Sequence, residues 1–505
     1  MPGLHTYYTE VLGLNLADIQ YIDDDIVFAK LDGGDIYELA FGEPVMDVSF
    51  SGGRTSFKIV GGRYHGRKAS IKGELALRDE GVLRLSMIDV QQGDGLILDT
   101  PDGNIITIDG GDNQLFARHV AARFAGTTKD KPLEVDAMIV THGDADHFAG
   151  LSAIEKSERN DELKKRIFLH PARVYHNGLV KRPGKTADGA TRKETDMFGT
   201  AKKVGDEYFV TALVNDPRKV AEEDRNNPFK TWAKTLDKWD ARREALGLGP
   251  IELTRIDQDS SDAFEFVSDA TFELFGPITE KQGSKPSLRF LRSPDKSVDM
   301  HLGGPDAKRG SASASHTING HSISFRLTYG NVRFLFTGDL NQEAMARVKT
   351  ALPDFDLKAE IFKTPHHGSA DFDFAFIKET SPVVSIISSG DESGAKEHIH
   401  PRATLVSALG RCSRGDTGII FMTELAAFFA TRGYAKETDP ASAKEKDEFY
   451  AFERTNFGII HIRTDGERVV ALTHSGKRGM NEAYGFTVAA NGRVKMTPKL
   501  TVKKG

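Results

Sequence analysis

Residues 139–150 read Ile-Val-Thr-His-Gly-Asp-Ala-Asp-His-Phe-Ala-Gly, and this stretch decides how the chain is interpreted. It begins inside an apolar run, residues 135–140, which predicts a buried strand. Directly after the strand come two imidazoles and two carboxylates, at His142, Asp144, Asp146 and His147. The small residues between them let the four side chains point into one cavity. Imidazole and carboxylate groups are ligands for zinc, manganese and iron, so the stretch predicts a metal site at a strand end.

Further candidate ligands follow other apolar runs, at points where strands are predicted to end or begin. One cluster supplies too few ligands for two ions, so additional donors have to come from elsewhere in the chain. The candidates are Asp339 after residues 332–336, His366 and His367 after residues 359–362, His400 after residues 383–387, and His321 before residues 322–328. Asp109 ends another strand, directly before Gly110, and is interpreted as a residue that orients a ligand.

Composition and charge exclude several classes of protein. The chain has 505 residues, with 67 Lys and Arg against 73 Asp and Glu, and the net charge of −6 excludes a histone-like, wholly basic nucleic-acid binder. The single cysteine, Cys412, excludes a disulfide framework and a cysteine-rich zinc module. No apolar run approaches the roughly 20 residues of a membrane-spanning helix, and the N-terminus shows no signal-peptide pattern. We therefore expect a cytoplasmic protein with no membrane partner.

The composition and the hydrophobic pattern of the sequence change along the chain, and these changes predict its domains. Residues 1–80 contain short apolar runs cut by Gly-Gly pairs, which predicts a small β-rich N-terminal domain. Strands alternate with helices from residue 81, which favours an α/β core over residues 81–475. Residues 155–320 are rich in charge and in polar Gly/Ser stretches, and are interpreted as a large insertion in that core. Residues 476–505 are interpreted as a basic C-terminal extension.

Seven motifs occur together in an order that resembles a known family. They are Asp-Val-Gln-Gln-Gly-Asp at 89–94, Thr-Pro-Asp-Gly at 100–103, Ile-Asp-Gly-Gly at 108–111, the stretch 141–150, Phe-Thr-Gly-Asp at 336–339, Pro-His-His-Gly-Ser at 365–369, and His-Pro at 400–401. Their order resembles the metallo-β-lactamase fold and, more narrowly, the hydrolase domain of ComEC-like competence proteins. The resemblance covers residues 81–155 and 320–470 and implies an αββα sandwich with a dinuclear metal site on one edge.

The resemblance also implies how the candidates share two divalent ions. One ion would be held by His142, Asp144 and His321, with His170 as the alternative to His321. The other ion would be held by Asp146, His147 and His400, with Asp339 bridging the two. His366 or His367 would be a further ligand or would donate to the substrate, Asp146 and His367 would be catalytic, and Ser369 would bind substrate. Zinc is the expected metal, with manganese as the alternative because Asp144 stands where the family often has histidine.

Three departures limit what the resemblance carries over. The family usually has Gly-Gln-Gly-Asp where this chain has Gln-Gln-Gly-Asp at 91–94. The membrane channel of the competence proteins is absent from the sequence, so transport of DNA is not implied. The insertion at 155–320 has no recognised counterpart. A β-CASP nuclease is excluded, because only 26 positions (366 − 339 = 27, less one) separate Asp339 from His366, too few for a cap domain.

The sequence predicts a hydrolase whose substrate is less well defined than its metal site. A paired metal site would generate hydroxide at neutral pH, and we expect a phosphodiesterase or nuclease acting on DNA or RNA. The basic N-terminal run, Arg54, Lys58, Arg63, Arg67 and Lys68, would supply phosphate contacts. The alternatives are a hydrolase of small molecules (a lactam, lactone, thioester or cyclic nucleotide) and a metal-stabilised binding protein. Because both ends of the insertion lie near predicted ligands, we expect it to form a lid or wall at the site.

Overall fold

The computed structural model describes residues 1–294, 309–390, 400–415, 418–424, 458–475 and 479–505, together with the backbone of two short strands, Glu437–Thr438 and Asp447–Glu448. Within these ranges, no helix is both long and apolar enough to cross a bilayer.

A ten-stranded sheet forms one layer of the core. Counted from one edge, its first four strands run parallel to one another. The third of these strands precedes the His/Asp stretch. In spatial order the strands are Glu252–Arg255, Arg173–His176, Ala137–Val140, Ile105–Asp109, Gly95–Asp99, Leu83–Met87, Ile459–Thr464, Arg468–His474, Met480–Val488 and Val494–Met496.

A six-stranded sheet forms the second layer. It is antiparallel at one side and parallel from the third strand onward. In spatial order the strands are Thr271–Gly276, Ser324–Tyr329, Val332–Phe336, Ile361–Lys363, Val384–Ile387 and Ile419–Met422.

The two sheets pack face to face, with helices on their outer faces. Alternate residues of both sheets, such as Leu85 and Phe334, share one apolar core. The helices Leu115–Arg123, Ala145–Ser157 and Asn227–Ala245 pack against the ten-stranded sheet. The helices Gln342–Ala351, Phe374–Thr380 and Ala403–Cys412 pack against the six-stranded sheet. The predicted α/β class is confirmed, and the layers run helix, sheet, sheet, helix.

The predicted β-rich N-terminus is a sheet of its own. Its strands are Ile36–Ala40, Ile26–Leu31, Lys68–Lys72, Arg54–Ile59, Pro44–Ser51, Gln20–Ile22 and Leu77–Arg78 in spatial order, paired antiparallel. The chain begins outside this sheet, because the short helix Gly3–Thr6 and the turn Tyr7–Val11 contribute to the core under the helices of the ten-stranded sheet.

The structure corrects the predicted extent of the insertion and of the C-terminal extension. Residues 173–176 and 252–255 lie inside the ten-stranded sheet, and residues 271–276 begin the six-stranded sheet, because these segments alternate apolar residues like the rest of the core. The C-terminal residues 480–488 also extend the ten-stranded sheet, and Val502–Lys504 pairs in parallel with Ile26–Leu31.

Outside the two large sheets, the insertion forms a small four-stranded sheet. Its strands are Ala201–Val204, Glu207–Val210, Lys285–Arg289 and Glu280–Gln282. Phe198 and Phe290 pack with Ile318 of the short helix Ala314–Gly320 in a separate apolar cluster. Two-stranded pairings complete the fold, Leu133–Val135 with Leu169–Pro171 and Arg292–Pro294 with Arg309–Ala312.

Candidate metal centre

The ends of parallel strands from both sheets bring the candidate ligands together. Strands 105–109 and 137–140 run parallel and end beside each other, so Asp109 meets the stretch that starts at Thr141. Strands 332–336 and 361–363 are parallel in the other sheet, and the backbone N–H of His366 donates to the Gly338 carbonyl at 3.1 Å. The same edge of the sandwich therefore receives donors from both layers.

Glycines allow the backbone segments to approach closely at this edge. Gly93 has a positive φ of 96°, and a Cβ atom there would lie 1.6 Å from the Asp146 carbonyl oxygen. A Cβ atom at Gly150 would lie 2.0 Å from the Gly110 carbonyl oxygen. These contacts press the helix Ala145–Ser157 against the strand ends, so that Asp146 and His147 in its first turn enter the cavity.

Asp339 lies at the centre of a buried cluster of histidines. Its Oδ2 atom is 3.3 Å from His147 Nε2 and 3.2 Å from His367 Nε2. His142 Nε2 and His366 Nε2 are 4.0 Å and 3.8 Å from the same oxygen. Asp339 groups with His142 and His147 in one set of possible ligand atoms and with Asp94 and His367 in another. Asp146 groups with His147 and His367 in a further set. A single carboxylate thus faces two sets of metal-ligand atoms.

Asp109 holds His147 in a fixed orientation. It accepts hydrogen bonds from the Thr141 backbone N–H at 2.8 Å and the Thr141 hydroxyl at 2.6 Å. Its Oδ2 atom is 2.8 Å from His147 Nδ1, which leaves His147 Nε2 directed at Asp339. Asp109 itself has a positive φ of 56°, a conformation that costs non-glycine residues energy and recurs at functional sites.

The His366–His367 turn is also strained. The φ angles of the two histidines are 46° and 53°, and both rings lie near the His400 ring, with centroids 5.8 Å and 6.5 Å away. The structure therefore brings all three histidines to the site. The Ser369 hydroxyl accepts a hydrogen bond from the Asp371 backbone N–H at 3.2 Å.

Burial and the carboxylates together set the charge of the histidines. Burial lowers the pKa of His142 well below its ordinary value, and it lowers that of His366 too. Burial also opposes protonation of His147 and His367, but Asp339 and the neighbouring carboxylates raise the pKa of both well above the ordinary value. Negative charge therefore dominates the cavity, and it favours a bound cation.

The donor set fits a divalent metal. His147 Nε2, His367 Nε2 and Asp339 Oδ1 are buried and have no hydrogen-bond partner among the described residues. Unpartnered buried polar atoms are costly unless a ligand satisfies them. Imidazole nitrogens and carboxylate oxygens converging within metal-ligand reach suit zinc or manganese.

His321, a predicted ligand, does not reach this cluster. His321 follows the end of the helix Ala314–Gly320, and its ring packs away from the cavity. Its Nε2 atom is 2.7 Å from the Arg289 carbonyl oxygen. The neighbouring Ser322 reaches the site instead: its hydroxyl accepts from the Asp339 backbone N–H at 2.9 Å and is 3.3 Å from His142 Nδ1. His170, the alternative to His321, lies on strand 169–171 with its Nδ1 atom 3.1 Å from the Arg243 guanidinium.

Asp144 lies at the rim of the site, in contact with the insertion. The Lys181 ammonium donates to its Oδ1 atom at 2.5 Å, and the Asn319 amide, suitably oriented, donates to Oδ2 at 2.9 Å. Burial raises the pKa of Asp144, although Lys181 opposes the shift. Asp144 belongs to none of the ligand groups among the described residues. Lys181 and Asn319, both within residues 155–320, therefore contact the His/Asp stretch at Asp144.

Two residues of the site were not predicted from the sequence. Asp94 is buried and contacts the Lys363 ammonium, and its Oδ1 atom is 3.4 Å from His367 Nδ1. Lys363 also donates to the Gly338 carbonyl at 3.0 Å, so it ties two strand ends together. Asp94 stands in the first motif of the family resemblance, a signal that could have found it. The apolar run around Lys363 gives no such signal.

The basic N-terminal run lies on the N-terminal sheet and is partly neutralised. Lys58 pairs with Asp47 at 2.7 Å, and Arg67 Nε donates to Asp32 at 3.0 Å. Arg54 donates to the Ser70 hydroxyl at 3.0 Å, and the Arg63 guanidinium lies 4.7 Å from the Tyr64 ring centroid. Lys68 is exposed on the strand 68–72. None of these five belongs to the ligand groups of the described chain.

Comparison with known proteins finds similarity for the part of the chain that holds the His/Asp stretch. Among solved structures, the chain resembles a protein described as a metal-dependent hydrolase from Parabacteroides distasonis, with 12% identity over 68% of this chain and 94% of that chain and a TM-score of 0.27. It also resembles a long form of RNase Z from yeast, with 8% identity over 81% of this chain and 50% of that chain and a TM-score of 0.25. No curated protein matches the sequence. Residues 89–223, which hold Asp109, His142, Asp146 and His147, match the family model of the metallo-beta-lactamase superfamily, and the chain therefore contains a metallo-β-lactamase superfamily domain.

Proposed function

We propose that this chain is a metal-dependent hydrolase that cleaves phosphodiester bonds in nucleic acid. The observation that carries the hydrolase proposal is the position of Asp339 between two sets of buried ligand atoms. When bound there, divalent cations supply hydroxide at neutral pH and neutralise charge that develops on the substrate oxygen.

Within this proposal the residues of the chain have distinct roles. His142, His147 and Asp339 would hold one cation, and His367 and Asp146 would hold a second, with Asp339 within 3.2 Å of His367. Gln92 donates to Asp146 Oδ2 at 3.3 Å and keeps that carboxylate in place. Asp109 and Ser322 are positioning residues, because they contact ligands and not the cavity between them.

The rim of the site favours an anionic substrate. Lys181 lies at the rim, and residues 181–203, which follow from it, hold seven Lys or Arg against three Asp or Glu, a net charge of +4 (7 − 3). Lys185, Lys193, Lys202 and Lys203 are exposed, and no carboxylate of the described chain is paired with them. Unpaired cations in the segment that follows Lys181 suit the phosphates of a nucleic-acid strand. The basic N-terminal run, in which Lys58 and Arg67 already pair with aspartates, would add weaker contacts to phosphate.

The narrower resemblance to ComEC-like competence proteins agrees with this substrate. The motifs at 89–94 and 365–369 place Asp94 and His367 in contact at the site, 3.4 Å apart. We extend that resemblance to the hydrolytic domain only, and we propose no transport function.

Turnover with defined metals and substrates tests the proposal. Metal-free protein reloaded with zinc or manganese would be offered single-stranded DNA, double-stranded DNA, RNA, a cyclic nucleotide and a lactam. We expect metal-dependent cleavage of a nucleic acid, and loss of that cleavage in Asp146→Ala. Asp354→Ala, which removes an exposed aspartate outside the site, serves as the matched control. Cleavage of only the cyclic nucleotide or the lactam would assign the small-molecule alternative, and a metal-loaded protein that cleaves none of them would support the binding-protein alternative.

A further inference from the structure

A second cavity, of about 520 Å³, lies on the opposite side of the ten-stranded sheet from the sandwich core. Its walls come from the N-terminal sheet, the helix Leu115–Arg123 and the outer face of strands 83–87 and 459–464. None of its lining residues belongs to the metal-ligand groups of the described chain. Its volume falls within the range of about 300–1,000 Å³ that is typical of small-molecule sites.

Successive side chains of a strand point to opposite faces of the sheet, and on these strands the side chains that face the cavity are polar. An apolar core would favour apolar side chains at the same positions. On strand 83–87, Leu85 faces the core while Arg84 and Ser86 face the cavity. On the adjacent strand, His461 and Arg463 face it in register with Ser86 and Arg84. Two arginines placed directly opposite each other repel, so this arrangement costs stability and requires an explanation.

Positive charge exceeds negative charge around the cavity. Four arginines line it, with two glutamates in the lining and one aspartate behind it, a net charge of +1 (4 − 3). These residues are Arg63, Arg84, Arg123, Arg463, Glu38, Glu43 and Asp99. Three histidines add imidazoles whose pKa burial lowers, and that of His119 falls to about 3.

Two of the lining groups have donor atoms without a partner. Arg463 is 4% exposed, and it uses one nitrogen to reach Glu43 at 2.8 Å. Its Nε and Nη1 atoms, and Nε2 of His119, make no hydrogen bond within the described part of the chain. A buried guanidinium with two N–H groups that lack a partner can donate hydrogen bonds to the oxygens of an anionic ligand.

Aromatic rings form the rest of the wall. The rings of Tyr37 and Tyr64 are 4.8 Å apart, and those of Tyr7 and Phe124 are 5.3 Å apart. All four residues line the cavity. Flat rings in the same cavity as a guanidinium that keeps two N–H groups without a partner suit a ligand that is planar at one end and anionic at the other.

We propose that this cavity is a binding site for a small molecule in which a planar ring carries a carboxylate or phosphate group. Arg463 and His119 bind the oxyanion, and the tyrosines contact the ring. The proposal does not depend on hydrolytic activity at the metal centre. The competing explanation is that the charges only fasten the N-terminal sheet to the core.

Calorimetric titration of the full-length protein tests the proposal with matched probes. AMP is compared with adenosine, and 4-hydroxybenzoate with phenol, so that each pair differs in the oxyanion. We expect at least one anionic probe to bind with a Kd below about 100 μM and at least about tenfold more tightly than its neutral counterpart. If neither anionic probe binds more tightly than its neutral counterpart, the proposal is overturned.

Two variants locate the binding in the cavity. His119→Leu removes an imidazole whose buried Nε2 atom makes no hydrogen bond within the described chain, so it is expected to fold, and it should weaken binding of the anionic probe at least several-fold. Arg463→Met should weaken it by about tenfold or more. Arg326→Met, which removes an arginine paired with Glu273 on the other sheet, is the matched control and should leave binding unchanged. Wild-type affinity in folded His119→Leu would overturn the proposal even if Arg463→Met failed to fold.

Discussion

Asp339 is the carboxylate that belongs to two of the candidate ligand groups, one with His142 and His147 and one with Asp94 and His367. Asp339→Asn removes the charge that both groups use and keeps the size of the side chain. We expect metal content after purification to fall for both ions together, whereas loss of a ligand from one group alone would affect one ion first. Elemental analysis of metal per chain measures this, with Asp354→Asn as the control. Metal content equal to wild type in Asp339→Asn would contradict the shared-ligand arrangement.

In the proposed metal centre, Asp109 would act through His147, whose Nδ1 atom lies 2.8 Å from its carboxylate. Asp109→Asn keeps a hydrogen-bonding group but removes the charge that fixes the tautomer and orientation of His147. We expect the affinity for zinc to fall by about 10- to 100-fold, the usual cost of losing such a partner. Competition with a chromogenic chelator measures the affinity. If Asp109→Asn bound zinc as tightly as wild type, Thr141 alone would be sufficient to orient the imidazole.

Metal binding at this site should also depend on pH in a defined direction. Burial lowers the pKa of His147 and His367, yet the surrounding carboxylates raise it well above the ordinary value in the metal-free protein. A metal then has to displace protons from these imidazoles. We expect the affinity to fall as the pH drops from about 8 to about 6, with protons released on binding. Calorimetry in buffers of different ionisation enthalpy counts those protons, and binding without proton release would show that both imidazoles are neutral beforehand.

At the scale of elements, Asp136 links the N-terminal segment to the core. Its carboxylate accepts from the backbone N–H groups of Gly3 at 2.9 Å and Ile105 at 2.7 Å. Burial raises its pKa to about 6, although these hydrogen bonds oppose the shift. The folded protein therefore binds this proton more tightly than the unfolded chain, whose Asp pKa is about 3.9. Below about pH 4 the Asp136 carboxyl is protonated, and it does not lower the free energy of unfolding by ionising. Above about pH 6 its ionisation lowers the free energy of unfolding by at most about 3 kcal/mol.

Asp136→Asn should remove this pH dependence. Relative to wild type, we expect the variant to gain stability as the pH rises from about 4 to about 7, by up to about 3 kcal/mol. Urea unfolding at several pH values measures the difference between the two curves. Asp18→Asn, an exposed aspartate in the same segment, should run parallel to wild type. A constant difference between Asp136→Asn and wild type would mean that Asp136 is ionised throughout this range.

The parts of the site that lie at strand ends could be predicted from the sequence, and the others could not. An apolar run followed by His142 or Asp339 fixes where the side chain emerges, because parallel strands end at a common edge. The ring of His321 follows the end of a short helix, and only tertiary packing decides that it turns toward Arg289. Lys363 stands inside an apolar run, so its contact with Asp94 leaves no pattern in the sequence.

At the scale of the whole molecule, the fold class could be predicted while the domain boundaries could not. The alternation of strands and helices identified the α/β core. Segment 155–320 differs in composition from its surroundings, but composition does not show that strands 173–176 and 252–255 add to the edge of the ten-stranded sheet. Composition also does not show that Val502–Lys504, near the end of the sequence, pairs with strand Ile26–Leu31 near its beginning.

If the proposed nucleic-acid substrate is correct, the distribution of unpaired cations predicts which surface would hold it. Lys185, Lys193, Lys202 and Lys203 are exposed in the segment that follows Lys181, whereas Lys58 and Arg67 of the basic N-terminal run already pair with aspartates. Replacing those four lysines together by serine should weaken binding of a labelled single strand. It should also flatten the dependence of log affinity on log salt, by about 0.7 for each phosphate that the protein no longer neutralises.

The matched variant replaces Arg54, Lys58, Arg67 and Lys68 of the N-terminal run together by serine. It removes the same number of charges, so any effect of net charge alone is equal in the two proteins. Because two of these residues would have to break an ion pair before they could contact phosphate, we expect a smaller change in the salt slope. Fluorescence anisotropy between about 50 and 200 mM salt compares the two slopes. A larger change in the N-terminal variant would move the nucleic-acid surface to the N-terminal sheet, and an unchanged slope in both would favour a small-molecule substrate.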